Sequence, residues 1–214
     1  LEFKKELVSL SDERQAKILQ GFFKTGKGEY AEGDVFLGIK VPVQRKAVKK
    51  YMGLNLLELE ELLNSKIHEY RLCALLILVQ KFENESEAGR EKIFEFYMKN
   101  AQRVNNWDLV DLSAPNIVGE YLLGKKNAGQ ALSLLAKSEN LWERRISIVS
   151  TFAFIRRGKF GHTLKIAKML MGDGHDLIRK AAGWMLREVG KRGGLEEEEE
   201  FLDKYANKMP RTML

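Results

Sequence analysis

Cysteine, proline and histidine are scarce in this sequence, and long uninterrupted apolar runs are absent. Among 214 residues there are one cysteine, three prolines and three histidines. A single cysteine excludes a disulfide within the chain, so nothing indicates an oxidising compartment, and Cys73 lies in an apolar run where burial is expected. The few prolines suit long helices, because proline removes a backbone donor and clashes with the preceding turn. No stretch approaches the roughly 18 apolar residues of a membrane span, so we expect no membrane partner.

The usual motifs of metal and nucleotide sites are also missing. No cysteine and histidine spacing fits a zinc site, and His68, His162 and His175 stand apart from one another. A phosphate-binding loop and a nucleophile elbow are absent as well. We therefore expect no cofactor and no metal, and we expect the histidines to be ordinary surface or capping groups.

Positive charge is concentrated in one part of the chain. The net charge is +6, yet residues 141–194 contain 12 Lys or Arg and only 4 Asp or Glu, which leaves the rest slightly negative. Such a basic segment is a candidate surface for a polyanion, of which nucleic acid is the commonest large example. A solvated basic surface without a partner is the alternative.

Helical periodicity runs through nearly the whole sequence, and no convincing alternation of strands is present. The pattern predicts helices of roughly 10 to 17 residues in pairs about every 35 to 40 residues, as in HEAT-like repeats. Arginines near the starts of three such helices, Arg71, Arg145 and Arg179, support repetition. We predict one all-α domain over residues 1–214, an α-α superhelix of HEAT-like repeats, with a compact helical bundle as the alternative. The predicted segments include 12–24, 56–63, 67–82, 87–101, 106–112, 116–123, 128–136, 141–156, 163–171, 177–191 and 195–207.

Two helical segments combine tryptophan with charge on one face. Trp107 and Asp111 are four residues apart, which places a flat ring beside a carboxylate. Lys180, Trp184, Arg187 and Lys191 follow spacings of 4, 3 and 4, and three cations would not belong to a core stripe. This second face is therefore expected to meet solvent or a ligand, such as the sugars and phosphates of a nucleic acid.

These motifs resemble the AlkD family of HEAT-like-repeat DNA glycosylases over nearly the whole chain. The resemblance rests on segments that occur in the same order, namely Phe-Leu-Gly-Ile at 36–39 with Val41, Pro42 and Arg45, Asn-Trp-Asp-Leu-Val-Asp at 106–111, Arg145, Lys-Ala-Ala-Gly-Trp-Met-Leu-Arg-Glu at 180–188, and Met-Pro-Arg-Thr at 209–212.

The resemblance implies a role for each matched residue. Asp111 matches the catalytic carboxylate, Trp107 and Trp184 match tryptophans that contact the lesion deoxyribose and backbone, and Arg145 matches an active-site arginine. It implies hydrolysis of the N-glycosidic bond of cationic N3- or N7-alkylated purines in duplex DNA, without base flipping. We expect a monomer in the cytoplasm, at the nucleoid of a bacterium or archaeon. The basic residues assigned to DNA binding are Arg144, Arg156, Arg179, Lys180, Arg187 and Lys191.

Two other functions remain open on sequence alone. A non-catalytic HEAT-repeat protein that binds bent or branched DNA would keep the basic surface but not the excision. A protein-interaction scaffold is the usual role of α-solenoids, although the basic segment argues against it.

Overall fold

The computed structural model describes all 214 residues, and every regular element in it is helical. The only pairing of β type is an isolated parallel bridge between Val35 and Ile67. The structure confirms the expected all-α fold built from successive helical pairs. The helices form two compact units, Leu1–Leu109 and Val110–Leu214. The expectation that they act as one domain stays a prediction.

Helix α5, His68–Asn84, lies at the centre of the first unit. It packs against α3 (Val41–Val48), α4 (Leu56–Leu63) and α6 (Glu87–Lys99), and it is buried on almost every side. Cys73 lies in this helix and is fully buried, as expected. Burial raises the pKa of its thiol, which keeps it protonated and unreactive. The helices of this unit are α1 Glu2–Ser9, α2 Glu13–Phe22, α3 Val41–Val48, α4 Leu56–Leu63, α5 His68–Asn84 and α6 Glu87–Lys99, with 3₁₀ turns at Lys49–Tyr51 and Ala101–Arg103.

Local capping explains where several of these helices begin. The Asn55 side chain accepts from the backbone amides of Leu57 and Glu58, and the Glu58 carboxylate in turn accepts from the backbone amide of Asn55. This capping box confirms the predicted start of α4. Helix α2, predicted from residue 12, begins at Glu13, because the Asp12 carboxylate caps it by accepting from the Gln15 amide at 2.9 Å.

The segment between α2 and α3 is irregular and is fixed by a buried carboxylate. Gly38 has φ of 84°, and a side chain there would collide with the Asp12 carbonyl, so only glycine fits. Glu69 accepts backbone N–H bonds from Leu37, Gly38 and Ile39 at 2.9, 2.8 and 3.2 Å. The helix-poor Phe36–Ile39 motif is thereby anchored to the first turn of α5.

The second unit repeats the packing of helix on helix. Helix α13 contacts α10, α12 and α14, and α9 packs on α10. Helix α7, Trp107–Ser113, begins in the first unit and ends in the second. The remaining elements are a π-helical turn at Pro115–Gly119, α8 Glu120–Leu122, α9 Ala128–Ala136, α10 Leu141–Ser150, α11 Phe152–Ile155, α12 Gly161–Leu170, α13 Asp176–Lys191, α14 Leu195–Tyr205 and a 3₁₀ turn at Ala206–Lys208.

Two predicted helices of the second unit are interrupted. The segment predicted as 116–123 is mostly a π-helical turn, in which Gly119 N–H reaches the Ala114 carbonyl. A side chain on Gly119 would meet the Ser150 carbonyl, so close packing sets this register. The segment predicted as 141–156 breaks at Thr151, whose hydroxyl bonds the Ile148 carbonyl at 2.6 Å.

Candidate functional site

Helix α7 carries the pair of residues that the sequence singles out. Trp107 is its first residue, and Asp111 follows one turn later. The Asn106 side chain accepts from the Trp107 amide at 2.8 Å, which satisfies a donor at the start of the helix. The four-residue spacing on one regular helix is the arrangement predicted from the sequence.

The ring of Trp107 lies in an aromatic cluster of the first unit. Its indole N–H donates to the Tyr30 hydroxyl at 3.2 Å. Phe23 stacks against it with centroids 5.2 Å apart and planes 19° apart, and Phe22 meets it edge-on at 6.0 Å. Phe22 remains 63% exposed although Trp107 is half-buried. Aromatic residues of the irregular N-terminal region thus fix the orientation of the indole.

Asp111 is held by a two-pronged arginine contact within the second unit. Arg145 Nε donates to Asp111 Oδ1 at 2.9 Å, and Arg145 Nη2 donates to Oδ2 at 2.8 Å. The third donor, Nη1, bonds the Leu177 carbonyl at 2.6 Å. The arginine side chain is 6% exposed, whereas the carboxylate is 20% exposed. The guanidinium therefore orients a carboxylate that solvent still reaches.

Trp184 belongs to a mixed aromatic and cationic cluster of the second unit. Its ring lies 6.1 Å from that of Phe152, which carries the guanidinium of Arg156 at 4.4 Å and that of Arg192 at 5.0 Å. Arg156 also donates to Asn116 Oδ1 at 3.2 Å. Phe152 and Arg192 were not identified from the sequence, because their contacts join separate helices.

The predicted face of α13 is exposed to solvent. Lys180, Arg187 and Lys191 are exposed and Trp184 is half-buried. Lys180 pairs with Asp176 at 2.6 Å one turn earlier, and Lys191 lies 3.7 Å from Glu188. Exposed pairs of this kind contribute little to stability and exchange readily for other anions.

Arg144 and Arg179 are engaged inside the second unit instead. Arg144 Nε donates to Asp173 Oδ2 at 2.6 Å, and its Nη1 bonds two backbone carbonyls. Arg179 Nε donates to the Asp173 carbonyl at 2.7 Å. Both arginines hold the turn before α13, so their assignment to DNA binding stays a prediction and finds no support in their contacts.

The expectation for His68 is wrong, because this residue is buried in a chain of charges. Its Nε2 lies 2.8 Å from Asp108 Oδ2, and its Nδ1 lies 3.4 Å from Asp34 Oδ2. Arg71 continues the chain with a 2.6 Å bond to Asp34. The sequence carries no signal for this network, since Asp34 and Asp108 are distant in the chain.

The pKa values of His68 and Asp34 shift in opposite directions. Burial alone would lower the pKa of His68, but the Asp108 and Asp34 carboxylates outweigh burial and raise it. Burial alone would raise the pKa of Asp34, but His68 and Arg71 lower it. The charged forms of both residues are therefore favoured.

The other two histidines differ from His68. His175 caps α13 by accepting from the Leu177 amide at 3.2 Å, which confirms the capping role. His162 meets the ring of Phe154 edge-on at 4.9 Å and has a lowered pKa, chiefly from burial.

No group of three or more His, Cys, Asp or Glu side chains is placed to hold a metal ion. No helix combines the length and apolar character needed to cross a bilayer.

The geometry defines a class of protein. It is a helical-repeat protein that has a carboxylate held by an arginine and a basic face that carries a tryptophan. The family model described as DNA alkylation repair enzyme matches residues 3–214. The chain therefore belongs to the DNA alkylation repair enzyme family, which confirms the resemblance stated from the motifs.

A solved structure described as a predicted DNA alkylation repair enzyme from Enterococcus faecalis has a similar fold, with a TM-score of 0.73. Sequence identity to it is 18%, and the match covers 95% of this chain and 92% of that one. At this identity the likeness supports the fold alone. A search of the curated proteins finds no significant match.

Proposed function

We propose that this protein is a DNA glycosylase that hydrolyses the N-glycosidic bond of cationic N3- or N7-alkylated purines in duplex DNA. The observation that carries the proposal is the Asp111 carboxylate, which is gripped by Arg145 yet 20% exposed, in a member of a DNA alkylation repair family. The proposal needs no cofactor, no base-binding pocket and no base flipping.

The chemistry of the lesion explains why one oriented carboxylate is enough. Alkylation at N3 or N7 leaves the purine positively charged, so it departs readily as a neutral base. Positive charge then builds on the deoxyribose as the bond breaks. A fixed negative charge lowers the energy of that oxocarbenium-like state and can orient the attacking water.

Arg145 has a positioning role in this scheme. Its two parallel bonds fix both carboxylate oxygens, and its bond to the Leu177 carbonyl fixes the guanidinium itself. This partner also stays positively charged, since guanidinium does not deprotonate in proteins. Preorganisation of this kind avoids a reorganisation cost in the transition state.

The two tryptophans are proposed to contact the sugar and backbone at the lesion. An indole face attracts cationic groups, with an energy of roughly 0.5–2 kcal/mol. Trp107 is oriented by Tyr30 and Phe23, and Trp184 lies beside Phe152. The exposed cations Lys180, Arg187 and Lys191 with Arg156 are proposed to bind phosphates, in a monomer that works at cytoplasmic DNA.

The test measures base release from duplex DNA that contains N7-methylguanine, by chromatography with mass detection. Asp111→Asn keeps the shape of the side chain and removes its charge, and we expect about a 100-fold or greater loss of rate. Asp173→Asn is the matched control, because Asp173 also pairs with an arginine in this unit but is 6% exposed.

Each result of this test has a clear meaning. Release by wild type and by Asp173→Asn, with loss in Asp111→Asn, supports the proposal. Salt-sensitive DNA binding without release by wild type would instead favour the non-catalytic DNA-binding function. Absence of DNA binding at moderate salt would favour the interaction scaffold.

A further inference from the structure

His68 joins three separate parts of the first unit. It is the first residue of α5, and its backbone amide bonds the Val35 carbonyl at 2.9 Å. Its ring reaches Asp34 in the irregular segment and Asp108 in the first turn of α7. Its side chain is only 2% exposed.

Each ring nitrogen of His68 lies within hydrogen-bond distance of a carboxylate, an arrangement that a proton on each nitrogen satisfies. Ionised carboxylates only accept hydrogen bonds, and both nitrogens of His68 face a carboxylate oxygen. The doubly protonated ring is a cation, and with Arg71 it balances the two negative charges of Asp34 and Asp108. A neutral ring can donate to one carboxylate only, so its deprotonation breaks one of the two links.

The same ring is linked to Trp107 through aromatic contacts. Phe23 lies 5.0 Å from the His68 ring on one side and stacks at 5.2 Å on Trp107. Phe36 stacks on His68 at 4.6 Å. Trp107 precedes Asp108 in the chain, so His68 contacts both an aromatic neighbour of the indole and the residue that follows it.

We propose that His68 is a positioning residue for Trp107, acting through Asp108 and Phe23 as a cation that fastens the first turn of α7. The inference rests on the proposed function only for its effect on excision, since the structural link exists without DNA. The charged groups that face this ring are Asp34, Asp108 and Arg71, while Lys40 and Glu69 line the same cavity of about 320 Å³.

The link from His68 to Asp34 and Asp108 depends on pH in a definite direction. The pKa of His68 is raised above its ordinary value of 6.5, so the link is complete near pH 6 and is lost as the pH rises through the raised pKa. Raising the pH through the pKa of His68 should therefore change the surroundings of the Trp107 ring.

The experiment uses the full chain labelled with fluorotryptophan, followed by fluorine NMR from pH 6 to 9.5. The three tryptophan resonances are assigned with Trp107→Phe, Trp142→Phe and Trp184→Phe. The titration of the His68 ring is measured separately by proton NMR. We expect the Trp107 resonance to shift over the same pH range, and the resonances of Trp142 and Trp184 to stay unchanged. His68→Gln should displace the Trp107 resonance at pH 6 and abolish its pH dependence, whereas the matched control His162→Gln should behave as wild type.

Excision is then measured over the same pH range. At pH 6, His68→Gln should excise about tenfold more slowly than wild type, because a displacement of about 1 Å in a group that contacts the substrate lowers the reaction rate. The difference between the two proteins should vanish at high pH. A Trp107 resonance that ignores the His68 titration in wild type would overturn the inference, even if His68→Gln failed to fold. Absence of excision by wild type would refute the proposed function and leave the NMR result to decide the role of His68.

Discussion

Two carboxylates three residues apart on α7 have different partners. Asp108 bonds a histidine at 2.8 Å, and Asp111 bonds an arginine fork at 2.8 and 2.9 Å. Their side chains are similarly exposed, at 18% and 20%. The difference lies in the cation, because imidazole can lose its charge near neutral pH and guanidinium cannot.

The contrast indicates a division of labour along one helix. In the proposed function Asp111 acts by electrostatic stabilisation, and its arginine partner holds it with two bonds from a group that does not deprotonate in proteins. Asp108 belongs to a network that includes the titratable ring of His68, and this network anchors the first turn of α7.

Removal of Arg145 should have the largest effect on both stability and activity. Arg145→Ala removes the two-pronged contact from a partly buried carboxylate, at a cost of about 3 kcal/mol in the free energy of unfolding. Excision should fall about 100-fold with it. Arg145→Lys should recover part of the stability and part of the excision rate, since an ammonium group replaces the charge but not the two parallel hydrogen bonds. Urea unfolding and single-turnover excision measure the two effects, and wild-type stability in Arg145→Ala would contradict the role of the fork.

Substitution of Trp184 should slow excision about tenfold, which corresponds to the loss of one cation–aromatic contact. Trp184→Leu removes the aromatic face, whereas Trp184→Phe keeps part of it and should lie between. Trp142→Phe is the control, because Trp142 is only 7% exposed and should affect stability alone. Equal excision rates for Trp184→Leu and Trp142→Phe would remove Trp184 from the site.

The stability of the wild type should fall as the pH rises above neutrality. A histidine with a raised pKa contributes fully below its ordinary value of 6.5, and the contribution is lost as the pH passes the raised value. Urea midpoints measured from pH 6 to 9.5 should show this decrease. His68→Gln should show a smaller decrease, and an identical decrease in both proteins would mean that other groups cause it.

Arg187→Ala should have the smallest effect, because a single exposed phosphate contact is removed. We expect DNA affinity to weaken a fewfold, and the slope of log affinity against log salt to decrease by about one. Lys137→Ala, which removes an exposed cation after α9, is the control. Equal slopes for the two variants would argue against the basic face of α13.

Local sequence patterns were enough to predict most helices. Helices α9 and α4 match their predicted bounds of 128–136 and 56–63, since both depend on periodicity and capping between residues close in sequence. The π-helical turn at Pro115–Gly119 was missed, because its register is set by close contact between Gly119 and Ser150. Such distant packing leaves no local pattern.

The site was predictable only in part for the same reason. Spacing predicted Trp107 and Asp111 on one helix face and Trp184 on a basic face, and the family resemblance implied a shared site for them with Arg145. The grip of Arg145 on Asp111 spans 34 residues, and the link from His68 to Asp108 spans 40. These contacts required the fold, as did the stacking of Arg156 and Arg192 on Phe152.

The rate of N7-methylguanine release by Asp111→Asn, compared with wild type and Asp173→Asn, tests the central claim most directly. Melting curves of all three proteins should first establish that they are folded. The account predicts that wild type and Asp173→Asn release the base at similar rates and that Asp111→Asn is about 100-fold slower or worse. Release by a folded Asp111→Asn at the wild-type rate would contradict it.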